Sequence, residues 1–240
     1  MKTRLDRLMV ERGLAESREK AQAMIMAGEV RVQGQKASKP GQAVEAGCDV
    51  EVLAKPPYVS RGGLKLAGAV RHWAIDVAGK VCADIGSSTG GFTDVLLQSG
   101  AARVHAVDVG AGQLDWKLRN DPRVVVHEGV NARELEPGQI GEPVELLVCD
   151  VSFISVTLIL PAIVRLLRDG GQLVILIKPQ FEVGKGQVGK GGIVRDPELH
   201  QAVCRKVQDA VREFGFVTDI IESPISGAEG NKEFLLYARR

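Results

Sequence analysis

No run of about 18 uninterrupted apolar residues occurs in this 240-residue chain, so no membrane-spanning helix is expected. The opening Met1-Lys2-Thr3-Arg4-Leu5-Asp6 also lacks the apolar stretch of a secretion signal, and the chain reads as cytoplasmic. Cysteine is sparse: Cys48, Cys82, Cys149 and Cys204 form no C-x-x-C pair, which argues against a zinc site or a disulfide framework and for buried free thiols. His72, His105, His127 and His200 show no metal-ligand spacing, and no metal is expected. An excess of charge is missing too, since a net charge of +1 does not by itself point to a nucleic-acid partner. No internal repeat is found.

What remains is an ordinary globular composition, 45% hydrophobic and 25% charged, which supports a packed core. The length suits one full α/β domain with a small appendage. The segment Ala54-Lys55-Pro56-Pro57-Tyr58-Val59-Ser60 interrupts any regular element, because consecutive prolines remove backbone donors and extend their predecessors. It divides the sequence into residues 1–58 and 59–240.

In the first part, Leu5, Leu8 and Met9, then Ala21, Ile25 and Met26, recur at helical spacing, with Ser17 placed to cap the second helix. Val30-Arg31-Val32 and Val50-Glu51-Val52 alternate as strands around a run containing Gly34, Pro40, Gly41 and Gly47, giving a compact α+β module. Charge is unevenly placed: residues 1–39 hold nine Lys or Arg against five acids. The order Arg4-Leu5-Asp6, Gly13-Leu14, Ser17-Arg18 and Gly28-Glu29-Val30-Arg31-Val32 resembles the S4 RNA-binding module. Arg4, Arg7, Arg18, Lys20 and Arg31 would then face the phosphates of a folded RNA, read by shape. Scattered basic residues alone would be taken as a solvated surface.

In the second part, Val81–Ile85, Arg103–Val109, Val124–His127, Leu146–Asp150 and Gln172–Lys178 alternate with helical patterns, as parallel strands buried on both faces do. Gly215–Ile221 and Glu233–Ala238 leave no room for a helix between them and predict a closing hairpin. The expectation is a doubly wound, Rossmann-like sheet of seven strands, one of them antiparallel.

The strand Val81–Ile85 runs into Gly86-Ser87-Ser88-Thr89-Gly90-Gly91-Phe92, a small-residue loop that lets a ligand lie across the strand's carboxyl end. Its spacing is not G-x-G-x-x-G, which disfavours hydride chemistry. Preceded by Asp84, the run resembles motif I of class I methyltransferases, above all the RrmJ/FtsJ-like ribose group. That resemblance implies S-adenosylmethionine, with Asp84 and residues 86–92 around its methionine part, Asp108 on its ribose hydroxyls and Asn131 near its adenine. Many relatives carry Asp where Asn131 stands. The run Gly184-Lys185-Gly186-Gln187-Val188-Gly189-Lys190 looks like a P-loop but continues with Gly191, so the magnesium-binding hydroxyl is missing. With Arg195 it reads as a basic, substrate-facing loop.

Lys65 in Arg61-Gly62-Gly63-Leu64-Lys65-Leu66, Asp150 and Lys178 at strand ends, and Glu233 at the start of the last strand match the Lys-Asp-Lys-Glu tetrad of ribose 2′-O-methyltransferases. With the S4 pattern in front, the whole chain resembles the TlyA family, whose members methylate ribosomal RNA and some of which bear a haemolysin name. The resemblance implies Lys178 as base or hydroxyl-orienting group, Asp150 as its partner and beside the cofactor, and Lys65 and Glu233 as positioners. It also implies Arg61 as an RNA contact and ribosomal RNA, within a subunit, as the partner. Lone residues of these types would be read as surface ion pairs. Cytosine C5 transfer fits less well, because Cys149 should face away from Asp150 by strand alternation. Amino-group transfer also fits less well, since Asp150-Val151-Ser152-Phe153 is not an Asp/Asn-Pro-Pro-aromatic run. Phe153 suits either base stacking or helix packing. Two rival readings are an S4 RNA-assembly protein with little catalysis and a membrane-active haemolysin.

Overall fold

The computed structural model describes residues 2–53, 56–184, 186–227 and 229–240. The linker residues Ala54 and Lys55, and Lys185 of the glycine-rich loop, lie outside the described residues. Contacts divide the chain into two compact units, Met1–Pro57 and Tyr58–Arg240.

The first unit runs β1 (Lys2–Arg4), α1 (Leu5–Glu11), α2 (Arg18–Met26), β2 (Val30–Val32), β3 (Gln35–Lys36), β4 (Ala43–Glu45) and β5 (Val50–Val52). Leu5, Leu8 and Met9 of α1 meet Ala21 and Ile25 of α2, with Val30 and Val50 closing the core, as the helical spacing requires. The Ser17 side chain caps α2 by accepting from the Lys20 N–H at 3.2 Å. Met26 departs from the expected apolar face. It is 76% exposed, because α2 ends there and the chain turns away at Gly28, whose φ of +75° suits glycine. The strands β1, β3 and β4 were not legible, since two or three residues are too few for alternation to show.

The second unit runs α3 (Gly62–His72), β6 (Val81–Ile85), α4 (Gly91–Gln98), β7 (Arg103–Asp108), α5 (Trp116–Arg119), β8 (Val124–Glu128), α6 (Pro137–Ile140), β9 (Val144–Cys149), α7 (Leu160–Ile163), β10 (Leu167–Ile177), α8 (Pro179–Glu182), α9 (Pro197–Arg212), β11 (Val217–Glu222) and β12 (Phe234–Arg239). Its sheet is ordered β11-β12-β10-β9-β6-β7-β8. Among the described residues its pairings are parallel except those of β12, which lies antiparallel between β10 and β11. Alternation divides each strand between two cores. Ala83, Ile85, Leu147 and Cys149 face the layer that holds α7 and α9, while Cys82, Leu146 and Val148 face the layer of α3 and α4. The doubly wound expectation is met.

The first unit also holds a buried carboxylate. Asp6 is 0% exposed and accepts from Arg4 Nε and Nη2 at 3.0 and 2.8 Å, Arg18 Nε at 3.2 Å, Gln22 Nε2 at 2.9 Å and the Arg7 N–H at 2.9 Å. The Arg4 guanidinium, above all, holds the Asp6 carboxyl well below the usual carboxylate range. This hub ties α1 to α2 and fixes two arginines whose side chains stay about half exposed. Asp6→Ala should therefore cost the unit about 2 kcal/mol. The measurement is hydrogen exchange of the amides of α1 and α2, which should lose protection; unchanged protection would contradict it.

Candidate active site

In a doubly wound sheet, ligands bind outside the carboxyl ends of the strands where the order reverses. Here that point lies between β6 and β9. The chain leaves β6 toward β7 and β8, then returns to lay β9 on the other side. The Asp150 N–H donates to the Ile85 carbonyl at 2.9 Å, so the loop after β9 is fastened beside the loop after β6. Gly86, at φ +83°, sits so close that an added Cβ would stand 2.4 Å from the Asp150 carbonyl oxygen. No larger residue fits between these loops.

Three cavities with shared walls open at this edge. The first, about 290 Å³, is lined by Gly86, Ser87, Ser88, Thr89, Gly91 and Phe92 of the small-residue loop and by Lys65, Asp150 and Lys178. The second, about 480 Å³, is lined by Asp108, Gln113 and Asn131 among apolar side chains that include Val107, Val130, Ile154 and Ile159. The third, about 420 Å³, shares Lys65 and Lys178 with the first and adds Phe153, Gln180, Phe181, Asn231 and Glu233.

The four expected tetrad residues meet as two ion pairs. Lys178 Nζ lies 2.5 Å from Asp150 Oδ1 and donates to Ser152 Oγ at 2.8 Å; Lys65 Nζ lies 2.6 Å from Glu233 Oε2. Lys65 stands on α3, Asp150 follows β9, Lys178 follows β10 and Glu233 precedes β12. Residues far apart in sequence converge because neighbouring strand ends are neighbours in space. A buried ammonium needs a carboxylate partner, and each lysine has one.

Other expected contacts are distributed less simply. Asp108 faces the second cavity, and its oxygens accept the Ser88 and Gly110 N–H groups at 2.8 and 2.7 Å. Asn131 lines the same cavity while its Oδ1 closes a local turn on the Arg133 N–H at 3.1 Å. Gly90 points away from the first cavity, toward Leu114 and Leu118. Asp84 lines none of the three cavities. It lies beneath the loop, fully buried, with one oxygen accepting from the Thr93 N–H and hydroxyl at 2.9 and 2.7 Å and the other without a partner. Its place is to brace the start of α4. Burial, with the nearby charges of Asp150 and Asp108, pushes its carboxyl up to about 7 against the Thr93 hydrogen bonds.

Arg4, Arg7, Arg18, Lys20 and Arg31 are exposed on the first unit, whereas Arg61 lies on the rim of the first cavity in the second unit. Cys149 is buried in the core on the far face from Asp150, and burial raises its thiol far above its ordinary value, so it offers no nucleophile. The glycine-rich loop does not follow a strand directly: α8 intervenes, and Val188 and Gly192 help wall the third cavity. Sequence reasoning missed Ser152, Gln113, Gln180 and Asn231 as lining residues. For Ser152 the signal was available, two positions after Asp150.

The second cavity fits S-adenosylmethionine in kind, because apolar walls suit a flat adenine and a carboxylate with free lone pairs suits ribose hydroxyls. The FtsJ-like methyltransferase family matches residues 58–240, and the S4 domain matches residues 3–50. The 16S/23S rRNA (cytidine-2′-O)-methyltransferase TlyA of Mycobacterium tuberculosis is 49% identical over 241 positions, 99% of this chain and 90% of that protein. Hemolysin A of Brachyspira hyodysenteriae is 44% identical over 237 positions, 98% of each. A solved structure from Streptococcus thermophilus that bears a hemolysin name superposes with a TM-score of 0.77 at 45% identity, covering 100% of this chain and 88% of that one. Among the described residues, no helix is long and apolar enough to cross a membrane.

The raised Asp84 carboxyl has a sign that can be checked. Between its unfolded value of 3.8 and about 7, the folded chain keeps a proton that the unfolded chain has released, so stability falls as pH rises through that window. Asp84→Asn should remove this fall. Melting of the two proteins from about pH 4 to about pH 8 should show the parent losing stability relative to the variant as pH rises. Parallel curves would show that Asp84 ionises normally.

Proposed function

The chain belongs to the FtsJ-like methyltransferase family, in its S4-bearing TlyA branch, and we propose that it transfers a methyl group from S-adenosylmethionine to the 2′-hydroxyl of a cytidine in ribosomal RNA. The observation that carries this is the pair of ammonium–carboxylate contacts where the first and third cavities meet. When bound, the cofactor supplies an electrophilic methyl group on a sulfonium. Asp108 and Asn131 hold its nucleoside end in the second cavity, and the loop of residues 86–92 holds its methionine end in the first. Asp84 supports that loop from below.

The acceptor ribose enters through the third cavity. Lys178 would direct the 2′-oxygen toward the methyl group and, having first given its own ammonium proton to solvent, would take the hydroxyl proton as the O–C bond forms and the methyl–sulfur bond breaks. Asp150 fixes Lys178. Lys65, held by Glu233, lies against the same cavities and orients the acceptor. Phe153 is 91% exposed, packs at a tilt of 50° on Phe181 with ring centroids 5.0 Å apart, and offers a face to a base. Arg61 meets the RNA at the rim, and the arginines and lysines of the S4 unit contact phosphates of a folded ribosomal RNA in the cytoplasm.

Purified chain, ribosomal subunits and a methyl-labelled cofactor test the proposal. Nuclease digestion should release the label as 2′-O-methylcytidine; label on a base, or none, would overturn the acceptor assignment. Lys178→Ala should lower kcat by about 10²- to 10⁴-fold while leaving cofactor affinity near that of the parent. Lys178→Arg separates the two roles, because a guanidinium orients a hydroxyl but does not accept its proton. Full activity in Lys178→Ala would remove the assignment.

A further inference from the structure

Resting on the methyl-transfer reading above, we infer that Glu182 is a positioning residue: it clamps the loop that carries Asp150 to the segment that carries Lys178. Glu182 ends α8, four residues after Lys178, and its side chain is 3% exposed. One carboxylate oxygen accepts the Val156 N–H at 2.6 Å. The other accepts the Ser155 hydroxyl at 2.6 Å and lies 3.1 Å from Lys206 Nζ of α9. The same ammonium donates to the Glu182 carbonyl at 3.0 Å, so α9 holds the clamp from behind.

Residues 150–155 form no helix or strand, and the β9 ladder ends at Cys149. That loop is held to residues 178–182 at both ends. At its start are the Lys178 contacts to Asp150 and Ser152; at its finish is the Glu182 carboxylate on Ser155 and Val156. Between them Phe153 takes φ +65°, a conformation bulky residues rarely hold without constraint from their surroundings. Glu182 lines none of the three cavities, so it does not touch the reacting groups. Its effect on the reaction passes through the spacing of Asp150 and Lys178. Misplacement of about 1 Å at a reacting centre costs about 10²-fold in rate.

The test uses the full chain with ribosomal subunits and S-adenosylmethionine. Glu182→Gln removes one acceptor from the clamp and should lower kcat by about 10- to 100-fold, with the KM for cofactor within about twofold of the parent. In a Lys178→Ala background the same substitution should change the residual rate by less than about twofold, because the geometry it maintains no longer serves a base. Ser155→Ala, which loses one hydrogen bond and leaves the carboxylate buried and paired, should lower kcat in the same direction by about threefold to tenfold; this holds the inference open to test if Glu182→Gln fails to fold. Full kcat in Glu182→Gln or in Ser155→Ala would overturn the clamp. So would an equal loss in the parent and Lys178→Ala backgrounds, which marks a general structural defect. A parent chain that transfers no methyl group to RNA overturns the functional reading, and this inference with it; an active parent with active clamp variants overturns the inference alone.

Discussion

An ammonium group taken out of water must find a carboxylate, and two such pairings, Lys178 with Asp150 and Lys65 with Glu233, are what the rest of this structure arranges. Each pair joins segments far apart in the chain. Only a parallel sheet that reverses its order between β6 and β9 brings those segments to one edge, and only glycine at position 86 lets the loops after β6 and β9 lie against each other. The same edge opens into the three adjoining cavities that the proposed cofactor and acceptor would fill. Fold, glycine loop and ion pairs are therefore consequences of one spatial requirement.

Much of this could be read from the residues. The central strands of the large sheet announce themselves as short β-rich runs, because both of their faces are buried and polar residues such as Asp84 and His105 are few among them. The tetrad was legible because Lys65, Asp150, Lys178 and Glu233 match, in order, the Lys-Asp-Lys-Glu pattern of ribose 2′-O-methyltransferases, whereas each residue alone would pass for a surface ion pair. The membership in the TlyA branch read from these motifs holds over both parts of the chain.

What was not legible has physical reasons. Gly90 and Asp84 belong to the right motif, yet one faces Leu118 and the other lies beneath the loop, and motif order does not say which atoms point at a ligand. Glu182 carries no motif in the sequence; its contacts with Ser155, Val156 and Lys206 are brought to it by the fold alone. Asp6 is similar. In sequence it is one acid among arginines, and in the structure it is the buried acceptor that holds Arg4 and Arg18 in place, so that the basic surface is organised by an anion. Met26 fails for a simpler reason, since helical spacing assigns a face but not the residue at which a helix stops.

In the proposed reaction Lys178, fixed by Asp150, meets the hydroxyl that receives the methyl group. The most direct measurement is a structure of this chain with its acceptor RNA and a non-reactive analogue of S-adenosylmethionine. Lys178 Nζ should lie within about 3.2 Å of the target 2′-oxygen with the Asp150 contact retained. A 2′-oxygen seated against some other side chain, with Lys178 more than about 5 Å away, would contradict it.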